Sequence, residues 1–93
     1  MKIVIASDHA GFRLKNIIKN HFKEHDFNDV GTHSEDSCDY PDYAKLAGEE
    51  VVSGRADAGI VICGTGIGIS IAANKVNGVR AALCTHEFMA EMS

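Results

Sequence analysis

Apolar and polar residues in the first third of the chain predict a strand, a helix and a second strand. The run KIVIAS at 2–7 is apolar and rich in β-branched residues, which is typical of a strand buried on both faces. Residues at helical spacing then predict a helix with an apolar side and a basic side. The apolar side comprises Leu14, Ile17, Ile18 and Phe22. The basic side comprises Arg13, Lys15, Lys19 and Lys23. Residues 27–30 predict a weaker strand, which Gly31 closes.

The middle of the chain predicts a loop, a helix and a third strand. Residues 32–42 are polar and rich in turn formers, and Pro41 is well placed to begin a helix because the first turn does not need its missing N–H. That helix has an apolar side within 43–52 and ends at Gly54. The apolar run AGIVIC at 58–63 predicts a third buried strand.

The last third predicts two further helices around a fourth strand. Small apolar residues at 69–75 predict a helix that ends near Gly78. The run VRAALC at 79–84 predicts a fourth strand, and Thr85 is predicted to cap the helix that follows it. The order β-α-β-α-β-α-β-α is typical of the α/β class, in which helices cover both faces of a parallel sheet.

Chemically interesting residues follow three of the predicted strands. Asp8 and His9 follow the first strand, residues 32–40 the second, and residues 63–68 the third. Ligands of parallel sheets bind outside the carboxyl ends of the strands. The order of elements therefore predicts one site where these three segments meet.

Composition and charge limit the classes of function. A chain of 93 residues with 45% hydrophobic and 24% charged residues is typical of one small globular domain. Its net charge of −4 and scattered cations argue against nucleic-acid binding. The sequence contains neither a membrane span nor a signal-peptide pattern, so we expect a cytoplasmic protein. The three cysteines match no zinc spacing and no disulfide framework.

Residues 63–70 read CGTGIGIS, with three glycines at alternate positions. A dinucleotide fingerprint needs a glycine where this chain has Ile69, and a tyrosine-phosphatase loop needs an arginine there. A set of backbone N–H groups at a helix N-terminus remains, and it suits an anion or an oxyanion. The alternative is a tight turn whose glycines serve packing alone.

Cys63 directly precedes this loop, at the mouth of a predicted helix N-terminus, where a thiolate is stabilised. It is a candidate reactive group; the alternative is an inert core cysteine, comparable to Cys84. Asp8 and His9 project from the end of the first strand toward the same edge. Alternatively, Asp8 caps the helix near Gly11 and His9 is a solvated loop residue.

Three stretches carry a resemblance to a known family. They are SDHAGF at 7–12 with LK at 14–15, DYPDYA at 39–44, and CGTGIGISIAANK at 63–75. In that order they resemble the ribose-5-phosphate isomerase B family, which also contains galactose-6-phosphate isomerase subunits. The resemblance covers essentially all 93 residues, and its third stretch is highly specific.

The resemblance implies a Rossmann-like three-layer fold and interconversion of ribose 5-phosphate and ribulose 5-phosphate, a reaction of the pentose phosphate pathway. It implies an enediolate intermediate, no metal and no cofactor. It also implies a homodimer or a dimer of dimers with active sites at the subunit interface.

The resemblance also assigns roles to individual residues. By this resemblance Cys63 is the base that removes the proton, and Thr65 assists it. Backbone N–H groups of the loop hold the reacting oxygens, and the loop residues are Gly64, Gly66, Ile67 and Gly68. Asp8 and His9 contact hydroxyl and phosphate groups of the sugar phosphate.

The family continues beyond this point, through a His-Asn pair that assists ring opening and arginines that clamp the phosphate. These residues are not found before Ser93. We therefore expect residues 1–93 to form a single, incomplete isomerase domain from a longer chain; the alternative is a truncated relative of the family. Two alternatives stay open: an isomerase of galactose 6-phosphate or another hexose 6-phosphate, and a non-catalytic module that binds phosphosugars.

Overall fold

The central strand of the sheet is β1 (Lys2–Ser7), which pairs in parallel with β2 (Asp26–Gly31) on one side and β3 (Ala58–Ile62) on the other. The structure is a computed structural model that describes residues 1–33, 40–64 and 66–92. Ile3 to Ser7 are all buried, as predicted for a strand covered on both faces. The strand order β2-β1-β3 places the end of β1 between the ends of the other two strands.

Helices cover both faces of this sheet in a Rossmann-like three-layer α/β fold. On one face, Ala47 of α2 (Tyr40–Val52) packs against Val4 and Ala6 of β1. Side chains alternate along a strand, so Ile5 points to the opposite face, where α1 (Phe12–His21) lies against β1. Both Val4 and Ile5 are completely buried, which places the core at the middle of β1.

Two further helices follow β3 along the chain. The third helix, α3 (Ile67–Asn74), packs on α2 through Ile69 and Ala73 against Ala44. The last helix, α4 (Glu87–Met92), has no buried residue. Within the described ranges, no helix is long and apolar enough to cross a membrane.

The predicted orientation of α1 is wrong. Lys15, assigned to the exposed basic side, is completely buried, whereas Leu14 and Ile17, assigned to the apolar side, are 49% and 62% exposed. The reason is electrostatic: Asp29 of β2 lies under the helix and forms an ion pair with the Lys15 ammonium at 2.8 Å. A lysine with an acidic partner can be buried, and the helix is rotated accordingly.

The predicted fourth strand is also wrong: residues 79–84 form no strand. The side-chain amide of Asn74 binds the backbone of Ala81 in the way a neighbouring strand would, donating to its carbonyl and accepting from its N–H, each at 2.9 Å. A cleft of about 1090 Å³ lies between this segment and the open edge of β3. Residues of β3 are therefore half-buried or exposed, where the sequence predicted a buried strand.

Helix boundaries differ from the predictions by one or two residues. The helix predicted to begin at Pro41 begins at Tyr40, and the helix predicted over 69–75 spans 67–74. The last helix begins at Glu87, so Thr85 is not its N-cap. The Thr85 hydroxyl instead donates a hydrogen bond to the Met89 sulfur at 3.2 Å.

Candidate active site

The Cys63 side chain lies immediately beyond β3, at the N-terminus of α3. Its sulfur accepts a hydrogen bond from the backbone N–H of Gly66 at 3.1 Å, and the residue is half-buried. A thiolate gains from such a donor and from the partial positive charge of a helix N-terminus. The arrangement therefore places a hydrogen-bond donor and a helix N-terminus beside a sulfur that remains reachable by a ligand.

Gly66 is required at this turn by its backbone conformation. Its φ of 82° lies in the left-handed region, and it is the N-cap of α3. A Cβ here would also lie 2.7 Å from Cδ1 of Leu83. Only glycine therefore directs this N–H at the sulfur without strain.

The next residues of the loop surround the start of α3. Ile67 and Gly68 belong to the first turn of α3, whose backbone N–H groups point toward the N-terminal end of the helix. Gly64 is exposed, and a Cβ on it would lie 3.8 Å from the Cβ of Ala10. The loop after β3 thus lies beside the turn that follows β1.

Asp8 is nearly buried, 7% exposed, at the end of β1. Its backbone N–H donates to the carbonyl of Ile62 at 3.1 Å, which fixes Asp8 beside Cys63 along the carboxyl edge of the sheet. One carboxylate oxygen accepts the N–H of Gly11 at 3.1 Å. The sequence offered Asp8 as a cap of α1, but the N-cap residue is Gly11 and no side chain caps the helix; the bond to the Gly11 N–H closes the turn before α1 and uses one of the two oxygens. His9, next to Asp8, is exposed.

Two predicted participants lie outside the described residues. Thr65 is one, and residues 34–39, which include Cys38, are the other. The predicted convergence of three segments is therefore observed for Asp8 to Ala10 and for the loop after β3. The segment after β2 begins at Thr32, which donates its N–H to the carbonyl of Ser7 at 2.8 Å.

A buried ionic cluster beneath this edge was missed by the sequence analysis. Asp29 accepts hydrogen bonds from the Lys15 and Lys19 ammonium groups, each at 2.8 Å, and from the N–H of Gly31 at 3.0 Å. Burial alone would raise the pKa of Asp29, but these hydrogen bonds outweigh it and lower the pKa below its usual value of 3.8. The sequence carried one signal for this cluster: Asp29 is an acidic residue inside a predicted strand, and the predicted helix before it contains several lysines.

The thiol and the glycine loop open onto the cleft beside β3. Cys63, Gly64 and Gly66 line it, together with Leu14 and Ile18 of α1. Two residues of the predicted apolar side of α1, Leu14 and Ile18, thus face this cleft. Asp8 and His9 are not part of its lining; the Asp8 backbone lies beside the end of β3, on the side of β1.

The fold and the site together define a class of protein. It is an α/β domain that carries a cysteine thiol at a helix N-terminus, at the carboxyl edge of a parallel sheet. Comparison with known proteins makes this class specific. The family model described as Ribose/Galactose Isomerase matches residues 3–93. The chain therefore belongs to the ribose/galactose isomerase family, as the sequence motifs predicted.

Individual relatives agree with this assignment. A solved structure of ribose-5-phosphate isomerase B from Clostridium thermocellum superposes with a TM-score of 0.97 at 56% identity, covering 100% of this chain and 64% of that one. Ribose-5-phosphate isomerase B of Escherichia coli strain K12 is 47% identical over 94 residues, covering 99% of this chain and 63% of that protein. D-erythrulose-4-phosphate isomerase 2 of Mycolicibacterium smegmatis is 44% identical over 86 residues, covering 87% and 57% respectively. The chain thus spans less than two thirds of the length of these relatives.

Proposed function

We propose that this chain belongs to an aldose–ketose isomerase that interconverts ribose 5-phosphate and ribulose 5-phosphate, with the Cys63 thiolate as the base. The observation that carries the proposal is the 3.1 Å hydrogen bond from the Gly66 N–H to the Cys63 sulfur. Family membership and the ribose-5-phosphate isomerase B names of the two relatives above support the choice of substrate. Residues 1–93 would all belong to the isomerase domain.

The base removes the proton from carbon 2 of the open-chain aldose and returns it to carbon 1. The electron pair of the broken C–H bond forms the C1–C2 double bond of an enediolate, and the carbonyl oxygen at carbon 1 takes up the negative charge. Collapse of the enediolate places the carbonyl at carbon 2. Carbon 2 is oxidised while carbon 1 is reduced, so the reaction needs no external oxidant or reductant.

The enediolate oxygens need donors that are already oriented, because such donors lower the barrier by a few kcal/mol each. Under this proposal the N–H groups of the first turn of α3, including those of Ile67 and Gly68, supply them. A proton must also pass between the two oxygens. Thr65 is proposed to assist the Cys63 base. Base and oxyanion donors would then surround the same two carbon atoms.

Asp8 and His9 are proposed to bind the sugar phosphate from the side of β1. The Asp8 carboxylate has one oxygen engaged by the Gly11 N–H, and its other oxygen can accept a substrate hydroxyl. His9 is exposed next to it and can contact a hydroxyl or the phosphate. These contacts bind the substrate without taking part in the transfer of the carbon-bound proton.

The proposal is tested by incubating the protein at its natural length with ribose 5-phosphate in deuterated water and following the sugars by NMR. We expect ribulose 5-phosphate that carries deuterium at carbon 1, because the thiol exchanges its proton with solvent. Turnover without any deuterium would contradict a thiolate base that exchanges with solvent. Binding without turnover would favour the non-catalytic phosphosugar module.

Substrate preference is tested in the same assay with erythrulose 4-phosphate and galactose 6-phosphate. The relative named D-erythrulose-4-phosphate isomerase 2 makes the four-carbon sugar a necessary comparator. We expect the highest kcat/KM for ribose 5-phosphate. A higher kcat/KM for either of the other sugars would replace the proposed substrate while leaving the chemistry intact.

We also propose that the protein forms a homodimer, or a dimer of such dimers, with its active sites at the subunit interface. Exposed apolar side chains on α3 support this proposal, since Ile67 is 53% and Ile71 is 54% exposed next to the candidate site. Sedimentation equilibrium of the protein at its natural length tests it. A monomer at micromolar concentration that is fully active would contradict it.

A further inference from the structure

Lys15 is completely buried, and it is among the largest fully buried side chains of the described residues. Burying an ammonium group costs several kcal/mol unless it is paired and hydrogen-bonded. An apolar residue in the same position of α1 would avoid that cost. The proposed chemistry gives Lys15 no role, so it does not explain why this side chain is buried.

The ammonium group of Lys15 binds two oxygen atoms from the end of β2. It lies 2.8 Å from Oδ1 of Asp29, and it donates a hydrogen bond to the backbone carbonyl of Thr32. It also lies 5.4 Å from the centre of the Phe12 ring, within the range of a cation–π contact. Lys15 thus connects α1 to the first residue after β2.

Thr32 is in turn bound to the end of β1. Its N–H donates to the carbonyl of Ser7 at 2.8 Å, and Ser7 directly precedes Asp8. The same carboxylate oxygen of Asp29 that binds Lys15 accepts the N–H of Gly31 at 3.0 Å. The Gly31 N–H and the Thr32 carbonyl are therefore both bound by one ion pair, between Lys15 and Asp29.

We propose that Lys15 is a positioning residue for the active site, which holds Thr32 and, through it, the Ser7–Asp8 backbone in the geometry that binds the sugar phosphate. This inference rests on the proposed isomerase function. Because its side chain is fully buried, Lys15 acts through these residues and does not touch the substrate.

Lys19 provides a matched control. Its ammonium group lies 2.8 Å from the other carboxylate oxygen of Asp29, so it shares the acidic partner of Lys15. Its described hydrogen bond goes to Asp29 and not to the Thr32 carbonyl, and its side chain is 32% exposed. Lys19→Met therefore weakens the charge pairing while the connection to Thr32 stays intact.

The kinetic test compares Lys15→Met with Lys19→Met in the protein at its natural length. We expect Lys15→Met to raise KM for ribose 5-phosphate about tenfold, the effect of losing one hydrogen bond to a charged group, with kcat within about threefold. Lys19→Met should leave both parameters within about twofold. A purely structural role would lower apparent kcat with the folded fraction and leave KM unchanged, and that result would overturn the proposal. Should Lys15→Met alone not fold, the double variant Lys15→Met/Asp29→Asn removes the unpaired carboxylate as well, and we expect the same rise in KM.

Amide hydrogen exchange tests the connection without any substrate. In Lys15→Met the Thr32 N–H should exchange at least tenfold faster than in the unchanged protein, whereas Lys19→Met should leave it unaltered. Unchanged exchange at Thr32 would overturn the inference even if the protein is an active isomerase. If the unchanged protein turned over none of the three sugar phosphates, the proposed function and the substrate-positioning role would fall together. Faster exchange would then show only that Lys15 holds Thr32.

Discussion

The backbone N–H of Gly66 points at the sulfur of Cys63, three residues earlier, across 3.1 Å. Gly66 has a left-handed conformation with a φ of 82°, which directs the chain from this amide into α3. The thiol and the glycine are thus two parts of one unit. The first two predictions separate their contributions.

Replacing Cys63 with alanine should abolish isomerisation while leaving the fold intact. A general base contributes about 10²–10⁴ in rate, so we expect kcat to fall at least into this range. Cys84→Ala is the control, because Cys84 is exposed and its thiol lies a long 3.7 Å from the backbone carbonyl of Ala82. Turnover numbers are measured on protein shown to be folded by circular dichroism. Near-normal kcat in Cys63→Ala would rule out this cysteine as the base.

Replacing Gly66 with alanine should lower kcat/KM by about 10²–10³, because the positive φ and the contact of the new Cβ with Leu83 would displace the loop, and misplacing one donor to the enediolate has an effect of this size. Gly54→Ala is a matched control because Gly54 has nearly the same φ, 83°, at the end of α2, and a Cβ added there would meet no atom within 4 Å. Both variants bear similar backbone strain, about 1 kcal/mol.

The two glycine variants are compared by kinetics and by thermal unfolding. We expect Gly54→Ala to lose stability alone, with kcat/KM within about twofold. Equal losses of activity in both variants would mean that the loop after β3 is only a turn. The active site would then have to lie elsewhere.

The sequence predicted the order of elements because each element carries its own local signal. The apolar run of β1 and the glycines before α3 are examples, and both appear where they were expected. The motif at 63–75 also led to the correct family. The position of Cys63 beside a helix N-terminus follows from these local signals alone.

The environment of Lys15 and the course of residues 79–84 were not predictable in this way. A lysine on a helix is usually solvated, and its burial depends on Asp29, which is distant in sequence and reaches it only through the parallel pairing of β1 with β2. The fourth strand has an apolar pattern, but a strand also needs a partner. In the structure the side chain of Asn74 forms hydrogen bonds with the backbone N–H and carbonyl of Ala81 instead. Both failures are tertiary effects that override local propensity.

The low pKa of Asp29 predicts a defined pH dependence of stability. A carboxyl whose pKa is lower in the folded than in the unfolded state stabilises the fold above its unfolded value, near 3.8. This contribution is lost as the pH falls through the lower folded value. Asp29→Asn should therefore reduce the free energy of unfolding at pH 7 by about 1–2 kcal/mol, less than for a fully buried pair because Asp29 and Lys19 are in part exposed to solvent.

The difference between Asp29→Asn and the unchanged protein should shrink below pH 3.8, since the unchanged carboxyl then becomes protonated as well. Urea unfolding at a series of pH values from neutral to well below this value measures it. Asp57→Asn is the control: Asp57 is exposed, and it accepts one hydrogen bond from the Lys2 backbone at 2.9 Å. A stability difference for Asp29→Asn that stays constant over the whole series would contradict the ion-paired state of this carboxyl.

The last prediction concerns the side chain that holds residues 79–84. The Asn74 amide donates to the carbonyls of Ser70 and Ala81 and accepts the N–H of Ala81, each at 2.9 Å. Asn74→Ala should lower the free energy of unfolding by about 1–2 kcal/mol, because these bonds are exposed and each contributes modestly.

Loss of the Asn74 amide should also move the wall of the cleft that Cys63 lines, since Leu83 belongs to the segment that the amide holds and contacts the position of Gly66. We therefore expect faster hydrogen exchange at Ala81 and a rise in KM in Asn74→Ala. Asn77→Ala serves as the control, because Asn77 is an exposed turn residue whose replacement should change stability by less than about 0.5 kcal/mol. If Ala81 exchanged at the same rate in Asn74→Ala and Asn77→Ala, the segment would have to be held by the packing of Val79 and Ala81 against the core of Ala44, Ile69 and Ala73 rather than by the amide.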